Sequence, residues 1–208
     1  LGSDDTYKRW VLDPPADTTV IEVNCRLHGE LSQMNEENTD ECNESQLLDV
    51  APVEMDQFAT HLRMLVKYLM LCDGDVIELG SGNYSTPLIH EVVKARGRKL
   101  DTYDSNEDWL DRFRNLEDES TTLNYVSDWS AFSVSKQYGL AFIDHADPPA
   151  HQRWIQVVGL IQFSSIIIIH DTEDDQYGYK NLEGISGLEL IEEDVQHRAF
   201  TKVFRTHR

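Results

Sequence analysis

Short apolar runs alternate along this chain with segments whose apolar residues recur at helical spacing. Such an alternation of strands and helices builds a parallel sheet covered on both faces. Four consecutive isoleucines, Ile166 to Ile169, are typical of a strand that is buried on both sides. We therefore predict an open, doubly wound, mostly parallel α/β sheet, with strands at 75–79, 100–104, 122–128, 140–144 and 165–170.

The C-terminal part departs from this alternation. Leu188–Glu193 and Ala199–Arg205 are strand-like runs without a helix-length gap between them, so we predict an antiparallel hairpin at the far edge of a seven-stranded sheet. Residues 1–51 are irregular and polar and predict a partly flexible N-terminal extension, which leaves 52–208 as the catalytic domain.

Three segments predict helices that pack one apolar face on the core. The first segment also assigns its two methionines, Met55 and Met70, to core packing. The apolar positions are Met55, Phe58, Leu62, Leu65, Val66, Leu69 and Met70, then Trp109, Leu110, Phe113 and Leu116, and finally Trp154, Ile155, Val158 and Ile161.

Charge and cysteine content narrow the range of partners. With 38 acidic against 18 basic residues, the formal net charge of −20 opposes attraction to nucleic acid or to anionic membranes. The cysteines Cys25, Cys42 and Cys72 show neither a disulfide nor a zinc pattern, and no segment resembles a signal peptide or a membrane span. These features predict an intracellular, cytoplasmic protein whose partner is a small molecule.

The turn after the first strand is rich in glycine. Asp75–Leu79 runs into Gly80-Ser81-Gly82, and the first strand-to-helix turn of such a sheet is the usual cradle for a phosphate or nucleoside. Ser85 or Thr86 can cap the following helix. Because Ser85 occupies the place of the third glycine of a dinucleotide fingerprint, the pattern disfavours NAD(P).

The run Glu78-Leu79-Gly80-Ser81-Gly82 resembles the E/D-x-G-x-G motif of class I S-adenosylmethionine-dependent methyltransferases. The resemblance implies that the two glycines admit the amino-acid part of this cofactor and that Glu78 holds its ammonium group. It extends through the Asn83-Tyr84-Ser85-Thr86 segment. The cofactor-binding residues that it implies in this turn are Glu78, Gly80, Ser81, Gly82, Asn83 and Ser85.

Acidic residues also follow the next two strands. Asp104 lies about 20 residues beyond the turn, the spacing of a ribose-binding carboxylate, and Ser105 follows it. A helix cap is the alternative role for Asp104, although Ser105 and Asn106 can serve as caps. The resemblance assigns Asp128 to the adenine amino group and Trp129 to packing of its ring; ordinary core packing is the alternative for Trp129.

The ends of the fourth and fifth strands carry polar clusters. Asp144 and Asp171 can converge on one site, and oxygen ligands of this kind suit Mg²⁺. Both residues resemble the ligands of metal-dependent small-molecule O-methyltransferases, and the resemblance also places Asp144 beside the cofactor. His170, Thr172 and Asp147 depart from that family's pattern.

A metal-free mechanism is the alternative. His145 or His170 then serves as general base, because histidine titrates near neutral pH. Asp144 is a third catalytic candidate. A strand-end histidine held by backbone hydrogen bonds is an equally valid interpretation of either residue. The segment 172–187 predicts either a loop over the crevice or an ordinary acidic surface loop.

Together these features predict an S-adenosylmethionine-dependent methyltransferase that acts on an oxygen, or alternatively a nitrogen, of a small molecule. Two other hypotheses stay open at this point. One is an NAD(P)-dependent oxidoreductase, and the other is a non-catalytic interaction module with a methyltransferase-like fold. The sequence predicts neither the substrate nor the oligomeric state.

Overall fold

The structure is a computed structural model that describes residues 57–145 and 153–207. The predicted N-terminal extension and Asp147 lie outside the described residues, so both predictions remain as stated. Within the described ranges, no helix is both long enough and apolar enough to cross a bilayer.

Seven strands form one sheet in the order β3-β2-β1-β4-β5-β7-β6. The first five strands pair in parallel, and β7 runs antiparallel to both β5 and β6. The predicted doubly wound sheet and its C-terminal hairpin are thus confirmed. The strands are β1 (Val76–Leu79), β2 (Leu100–Asp104), β3 (Thr121–Tyr125), β4 (Tyr138–Ile143), β5 (Ser164–Ile169), β6 (Leu188–Asp194) and β7 (Thr201–Thr206).

Helices cover the two faces of this sheet. The α-helices are α1 (Leu62–Leu71), α2 (Ser85–Ala95), α3 (Glu107–Leu110) and α4 (Arg153–Leu160). Short 3₁₀ segments lie at Gln57–Ala59, Asp111–Leu116, Trp129–Ala131, Asp175–Tyr177 and Tyr179–Leu182.

The central strands are buried on both faces. Ile77 and Leu79 of β1 pack in the core beneath α4, whereas Val76 packs on the other face with residues of α1 and α2. In β5, Ile167, Ile168 and Ile169 have no exposed surface, as the isoleucine run predicts. Both faces of the sheet therefore contribute apolar burial, and the strand ends at its carboxyl edge are left to carry polar groups.

The buried face of α1 differs from the predicted face by one position. Met64, Leu65, Tyr68 and Leu69 are buried, whereas the side chain of Met70 is 44% exposed. Core packing was therefore the wrong role for Met70, and Phe58 is also exposed. Leu65 and Leu69 belong to both the predicted and the observed buried face, so the apolar pattern alone does not distinguish the two faces. Packing on the sheet does.

The same shift occurs in α4. Arg153, Gln156, Val157 and Leu160 are buried, but the predicted core residues Ile155 and Val158 are exposed. The buried residues follow the helical spacing i, i+3, i+4 and i+7 from Arg153, and Trp154 and Ile161 of the predicted set still contact the core. Burial of Arg153 is tolerated because Asp144 and Asp171 pair with its charge.

Replacing each α1 methionine by alanine tests the corrected face. We expect Met64→Ala to lower the free energy of unfolding by about 2–4 kcal/mol, because it leaves a cavity in the core. Met70→Ala, the matched control on the same helix, should change it by less than about 0.5 kcal/mol. Urea unfolding of both variants measures the difference, and equal losses would contradict the assignment.

Candidate functional site

Gly80 packs the first turn against the end of β4. Its φ angle is +94°, and a Cβ atom there would lie 2.4 Å from both the N and Cα atoms of His145. Its N–H donates to the carbonyl of Tyr103 on the neighbouring strand at 2.8 Å. The absence of a side chain at Gly80 therefore permits close packing against the backbone of His145. The sequence analysis predicted only that this glycine admits a ligand.

Gly82 has more freedom than Gly80. The closest atom to a Cβ built there is the Ser85 hydroxyl oxygen, at 2.9 Å, which belongs to a side chain that can rotate. The N–H of Gly82 donates to the Thr86 hydroxyl at 2.9 Å. Of the two glycines, Gly82 is thus the one beside which a ligand could approach the backbone.

Glu78 is a fully buried carboxylic acid in the middle of β1. Its Oε2 atom accepts hydrogen bonds from the hydroxyl groups of Thr86 at 2.9 Å and Thr102 at 2.8 Å. Its Oε1 atom has no hydrogen-bond partner of ordinary geometry among the described residues. Burial raises the pKa of Glu78 to about 7, although the neighbouring hydroxyl groups, that of Ser85 included, oppose the shift.

An unpartnered buried acceptor beside the turn fits a cationic ligand group. A buried polar atom without a partner costs about 1–3 kcal/mol, and an ammonium group within reach would recover that cost and favour the charged carboxylate. The residues present are therefore compatible with the role that the family resemblance implies for Glu78.

Asp104 faces the glycine turn from the end of β2. Its Oδ2 atom accepts from the N–H and the hydroxyl of Ser81, both at 2.8 Å, and Oδ1 accepts from the N–H of Asn106 at 2.9 Å. The indole Nε1 of Trp109 donates to the carbonyl of Ser81 at 2.7 Å. A ribose could bind Asp104 only by exchanging with part of this internal network.

Three other cofactor candidates lie near the same turn. Asn83 is exposed, Ser85 is buried at the first position of α2, and Ser105 is partly buried after β2. No side chain caps α2, since Tyr84 holds the cap position without such a bond and Thr86 bonds instead to Gly82 and Glu78. The predicted cap at Ser85 or Thr86 is therefore wrong.

Asp128 and Trp129 have different environments. Asp128 is exposed, and its carboxylate accepts from the N–H of Ser130 at 2.8 Å, which caps a 3₁₀ segment. Trp129 is 3% exposed and packs on Phe132 and His145. Its ring thus belongs to the core, which favours the alternative role for this residue.

Asp144 and Asp171 converge as predicted, but on an arginine. Arg153, which is 1% exposed, places one guanidinium nitrogen 3.5 Å from Asp144 Oδ1 and 3.3 Å from Asp171 Oδ2. The same guanidinium stacks 3.7 Å from the ring centre of Tyr177 and donates from Nε to the carbonyl of His145. Its positive charge lies between the two carboxylates that were expected to hold Mg²⁺.

The two catalytic histidine candidates are both 3% exposed. His145 lies against Trp129 at a ring distance of 4.2 Å, and burial, together with the charge of Arg153, lowers its pKa to about 3. Burial also opposes protonation of His170, but Asp144, 3.2 Å from its Nδ1 atom, outweighs this effect and raises the pKa of His170. Neither ring is open to solvent.

Asp144 is a weak base in this setting. Burial opposes its ionisation, but the charges of His170 and Arg153 outweigh burial and lower its pKa to about 2. Its side chain is 24% exposed, more than either histidine. Asp144 is therefore suited to orient a hydroxyl group by accepting its hydrogen bond.

A cavity lies beside the loop that follows β5. About 430 Å³ in volume, it lies between the loop after β5 and the strands β5, β7 and β6, where Glu173, Asp175 and Lys180 line it. Within 172–187 the chain forms two 3₁₀ segments, and Tyr177, Tyr179 and Leu182 are buried in the core. This segment is thus partly core, which neither of the two predicted loop roles included.

The sequence analysis missed Arg153 and His61, two buried polar residues beside Asp144. Arg153 carries no pattern that separates it from a surface arginine. His61 is different, because His61, Met64, Leu65 and Tyr68 share helical spacing, and that register would have placed the histidine on the buried face. A search for histidine within an apolar stripe would have found it.

Comparison with known proteins gives the fold. No family model matches the chain, and no curated protein matches its sequence. Solved structures do match. An O-methyltransferase of Bacillus cereus, solved with S-adenosylhomocysteine, is 13% identical at a TM-score of 0.54, over 76% of this chain and 94% of that one.

Two further structures agree with it. A methyltransferase of Podospora anserina bound to S-adenosylhomocysteine has a TM-score of 0.55 at 10% identity, over 70% of this chain and 77% of that one. The N-methyltransferase NodS of Bradyrhizobium japonicum, also solved with S-adenosylhomocysteine, has a TM-score of 0.51 at 12% identity, over 72% and 88%. This chain has the class I methyltransferase fold. Identities this low show the fold alone.

Alanine at the two glycines separates their roles. We expect Gly80→Ala to destabilise the protein by about 3 kcal/mol or more, because the side chain meets backbone at a left-handed φ. Gly82→Ala should cost about 1 kcal/mol or less, since only a movable hydroxyl lies in its way. Thermal and urea unfolding measure both variants, and a stable Gly80→Ala protein would refute the packing role.

Glu78→Gln should change the pH dependence of stability. Between the unfolded pKa of 4.5 and the folded pKa of about 7, the folded chain keeps a proton that the unfolded chain has lost. Stability therefore falls as pH rises through this window, by a total of about 3 kcal/mol from this group. The glutamine variant lacks this loss, so its free energy of unfolding relative to wild type should rise between pH 4.5 and 8.

The measurement is urea unfolding at several pH values between 4.5 and 8. Glu107→Gln, at an exposed position of α3, is the control and should follow the wild-type profile. Parallel profiles for wild type and Glu78→Gln would show that the buried acid does not titrate in this range.

Proposed function

We propose that this protein is an S-adenosylmethionine-dependent methyltransferase that acts on an oxygen, or alternatively a nitrogen, of a small molecule. The observation that carries the proposal is the placement of Glu78 and Asp104 on either side of the glycine turn. In an open α/β sheet this position, at the carboxyl ends of the strands, is where ligands bind. The class I methyltransferase fold and the cofactor-bound neighbours support the choice of ligand.

The chain's own groups divide the binding task between the two carboxylates. Glu78 supplies a free acceptor, Oε1, for a positively charged amino-acid group. Asp104 accepts from the ribose hydroxyls when the Ser81 hydroxyl rotates away from its Oδ2 atom. The sulfonium of the bound cofactor supplies an activated methyl group, and the transfer needs mainly alignment of the acceptor atom with it.

The groups at the carboxyl end of β4 are best suited to aligning the substrate with the methyl group. Asp144 is ionised and partly exposed, so it can accept a hydrogen bond from a substrate hydroxyl and hold its oxygen in place. His145 and His170 stay proposals as general bases, but the burial of both rings disfavours them. The net charge of −20 favours a neutral or cationic substrate over a polyanion.

The proposed Mg²⁺ site at Asp144 and Asp171 fits poorly. A guanidinium nitrogen within 3.5 Å of both carboxylates already supplies a positive charge there. A second cation between them would meet that charge at short range. The proposed mechanism therefore contains no step at a magnesium ion.

One observation favours the non-catalytic interaction module. Asp104 is already satisfied by Ser81 and Asn106, and Trp109 bonds to the same turn, so the edge is closed by internal bonds. Such a network would persist in a protein that binds no cofactor. The methyltransferase proposal requires that ligand binding displace at least the Ser81 hydroxyl.

Calorimetric titration with S-adenosylmethionine and S-adenosylhomocysteine tests the proposal. We expect both to bind, and we expect Asp104→Ala to lower the affinity by about a hundredfold, because two hydrogen bonds to a charged acceptor are lost. Asp108→Ala, which removes an exposed carboxylate from α3, is the control of equal charge and should bind like wild type.

The alternatives give different results in the same titration. Binding of NAD(P) in place of the two methionine-derived ligands would favour the oxidoreductase. Absence of binding by all of them, in a folded protein, would favour the interaction module.

A further inference from the structure

Three side chains from separate parts of the chain meet beside the carboxyl end of β4. His61 precedes α1, Asp144 follows β4, and His170 follows β5. One nitrogen or oxygen atom from each lies within 4.8 Å of those of the other two. We call this group the His-Asp cluster; it includes Asp144 of the site above but adds two nitrogen donors.

His61 is the unexplained member. It is 2% exposed, and neither ring nitrogen has a hydrogen-bond partner among the described residues. Its ring packs 4.8 Å from that of Phe142 and 4.7 Å from that of His170, centre to centre. The ring therefore offers a nitrogen lone pair that no described group uses. A phenylalanine would fill this place without an orphaned polar atom.

The hydrogen bonds of Thr60 determine which nitrogen of His170 carries a proton. The Thr60 hydroxyl donates its hydrogen to the carbonyl of Ala199 at 2.7 Å, so towards His170 Nε2, at 2.9 Å, it must act as acceptor. Nε2 therefore carries a proton. The other nitrogen, Nδ1, faces Asp144 Oδ1 at 3.2 Å.

His170 Nδ1 has no hydrogen-bond partner among the described residues, and two lone pairs at that distance would repel. Either a second proton on His170 or a metal ion would relieve this repulsion. Asp144 and Asp171 bring two negative charges against the one positive charge of Arg153, whose guanidinium lies 3.5 Å from Asp144 Oδ1, so an ion here would bind on the side of Asp144 that faces the imidazoles and not between the two carboxylates. A metal ion would also occupy the lone pair of His61, which a proton on His170 leaves unused.

We propose that His61, Asp144 and His170 bind one divalent transition-metal ion of the Zn²⁺ class. Two imidazoles and one carboxylate form a ligand set that such ions prefer, whereas Mg²⁺ prefers oxygen ligands. Ligand atoms about 2.1 Å from an ion lie roughly 3–3.5 Å apart, so the cluster needs to contract only modestly from its present spacing.

The surroundings of His170 match those of a metal ligand. Ligating histidines usually donate their second N–H to a fixed acceptor, and His170 donates to Thr60, which is itself held by Ala199. Asp144 is the most exposed member of the cluster, with 24% of its side chain accessible, so a fourth coordination position would open on its side. The proposal concerns this ligand set alone and holds whether or not the protein binds S-adenosylmethionine.

Cobalt titration of the full chain, stripped with a chelator, tests the site. We expect one Co²⁺ per chain, with visible absorption bands of a low-coordinate nitrogen and oxygen site. Zn²⁺ should abolish the bands by displacement, and millimolar Mg²⁺ should not. Zn²⁺ should also raise the melting temperature, because it binds the folded state.

Variants identify the ligands. His61→Phe should weaken Co²⁺ binding by about a hundredfold or more, yet leave the metal-free protein at least as stable as wild type, because the unpartnered nitrogens are gone. Thr60→Val, which removes the acceptor of His170, should weaken binding by about 10–100-fold. Thr60 is thus a positioning residue in this proposal, and the Co²⁺ spectrum should shift in that variant.

His90→Phe is the matched control. Like His61, His90 is buried, but it lies within α2 and its Nδ1 atom bonds to Thr121 at 2.9 Å. This variant should lose stability and still bind Co²⁺ like wild type. Asp171→Asn should also keep the stoichiometry of one ion.

Two results would overturn the proposal. The first is the absence of stoichiometric Co²⁺ or Zn²⁺ binding by the folded wild-type chain. The second is binding that survives in His61→Phe but is lost in Asp171→Asn, which would place the ion between the two carboxylates instead.

Discussion

The contact between Gly80 and the backbone of His145 organises the carboxyl edge of this sheet. A Cβ atom at position 80 would lie 2.4 Å from the backbone of His145, so only glycine lets the first turn lie so close to the end of β4. That approach brings Glu78 and Asp104 to the same edge as Asp144 and His170. A motif glycine that is usually attributed to ligand approach thus acts here first as a packing residue between two parts of the protein.

Arg153 supplies the positive charge between Asp144 and Asp171 that the sequence analysis assigned to Mg²⁺. Two strand-end carboxylates need a cation, and the chain supplies one from α4. Arg153 lies on the buried face of α4 together with Val157 and Leu160, whereas Ile155 and Val158 are exposed. The pairing of Arg153 with the strand-end carboxylates determines the electrostatics of the candidate site.

The central strands β1, β4 and β5 were predictable because each is a mainly apolar run that is buried on both faces, so no choice of a buried face is involved. The helix faces of α1 and α4 were not, since their leucines and isoleucines fit two registers equally well. Asp104 and Asp144 were predicted as site residues from their position at a strand end, and their roles stay predictions. Their pairing with Ser81 and Arg153 was not predicted, because hydrogen bonds and ion pairs between distant segments depend on side-chain packing that periodicity does not encode.

The central claim is that the edge between Glu78 and Asp104 is a cofactor site that opens by local exchange of hydrogen bonds. A crystal structure of the protein with S-adenosylhomocysteine tests it most directly. We expect the ribose hydroxyls on Asp104, the Ser81 hydroxyl turned away, and the ammonium group close to Glu78. A ligand bound elsewhere, or crystals grown at saturating ligand in which the bonds from Ser81 to Asp104 persist and the edge is empty, would contradict the claim.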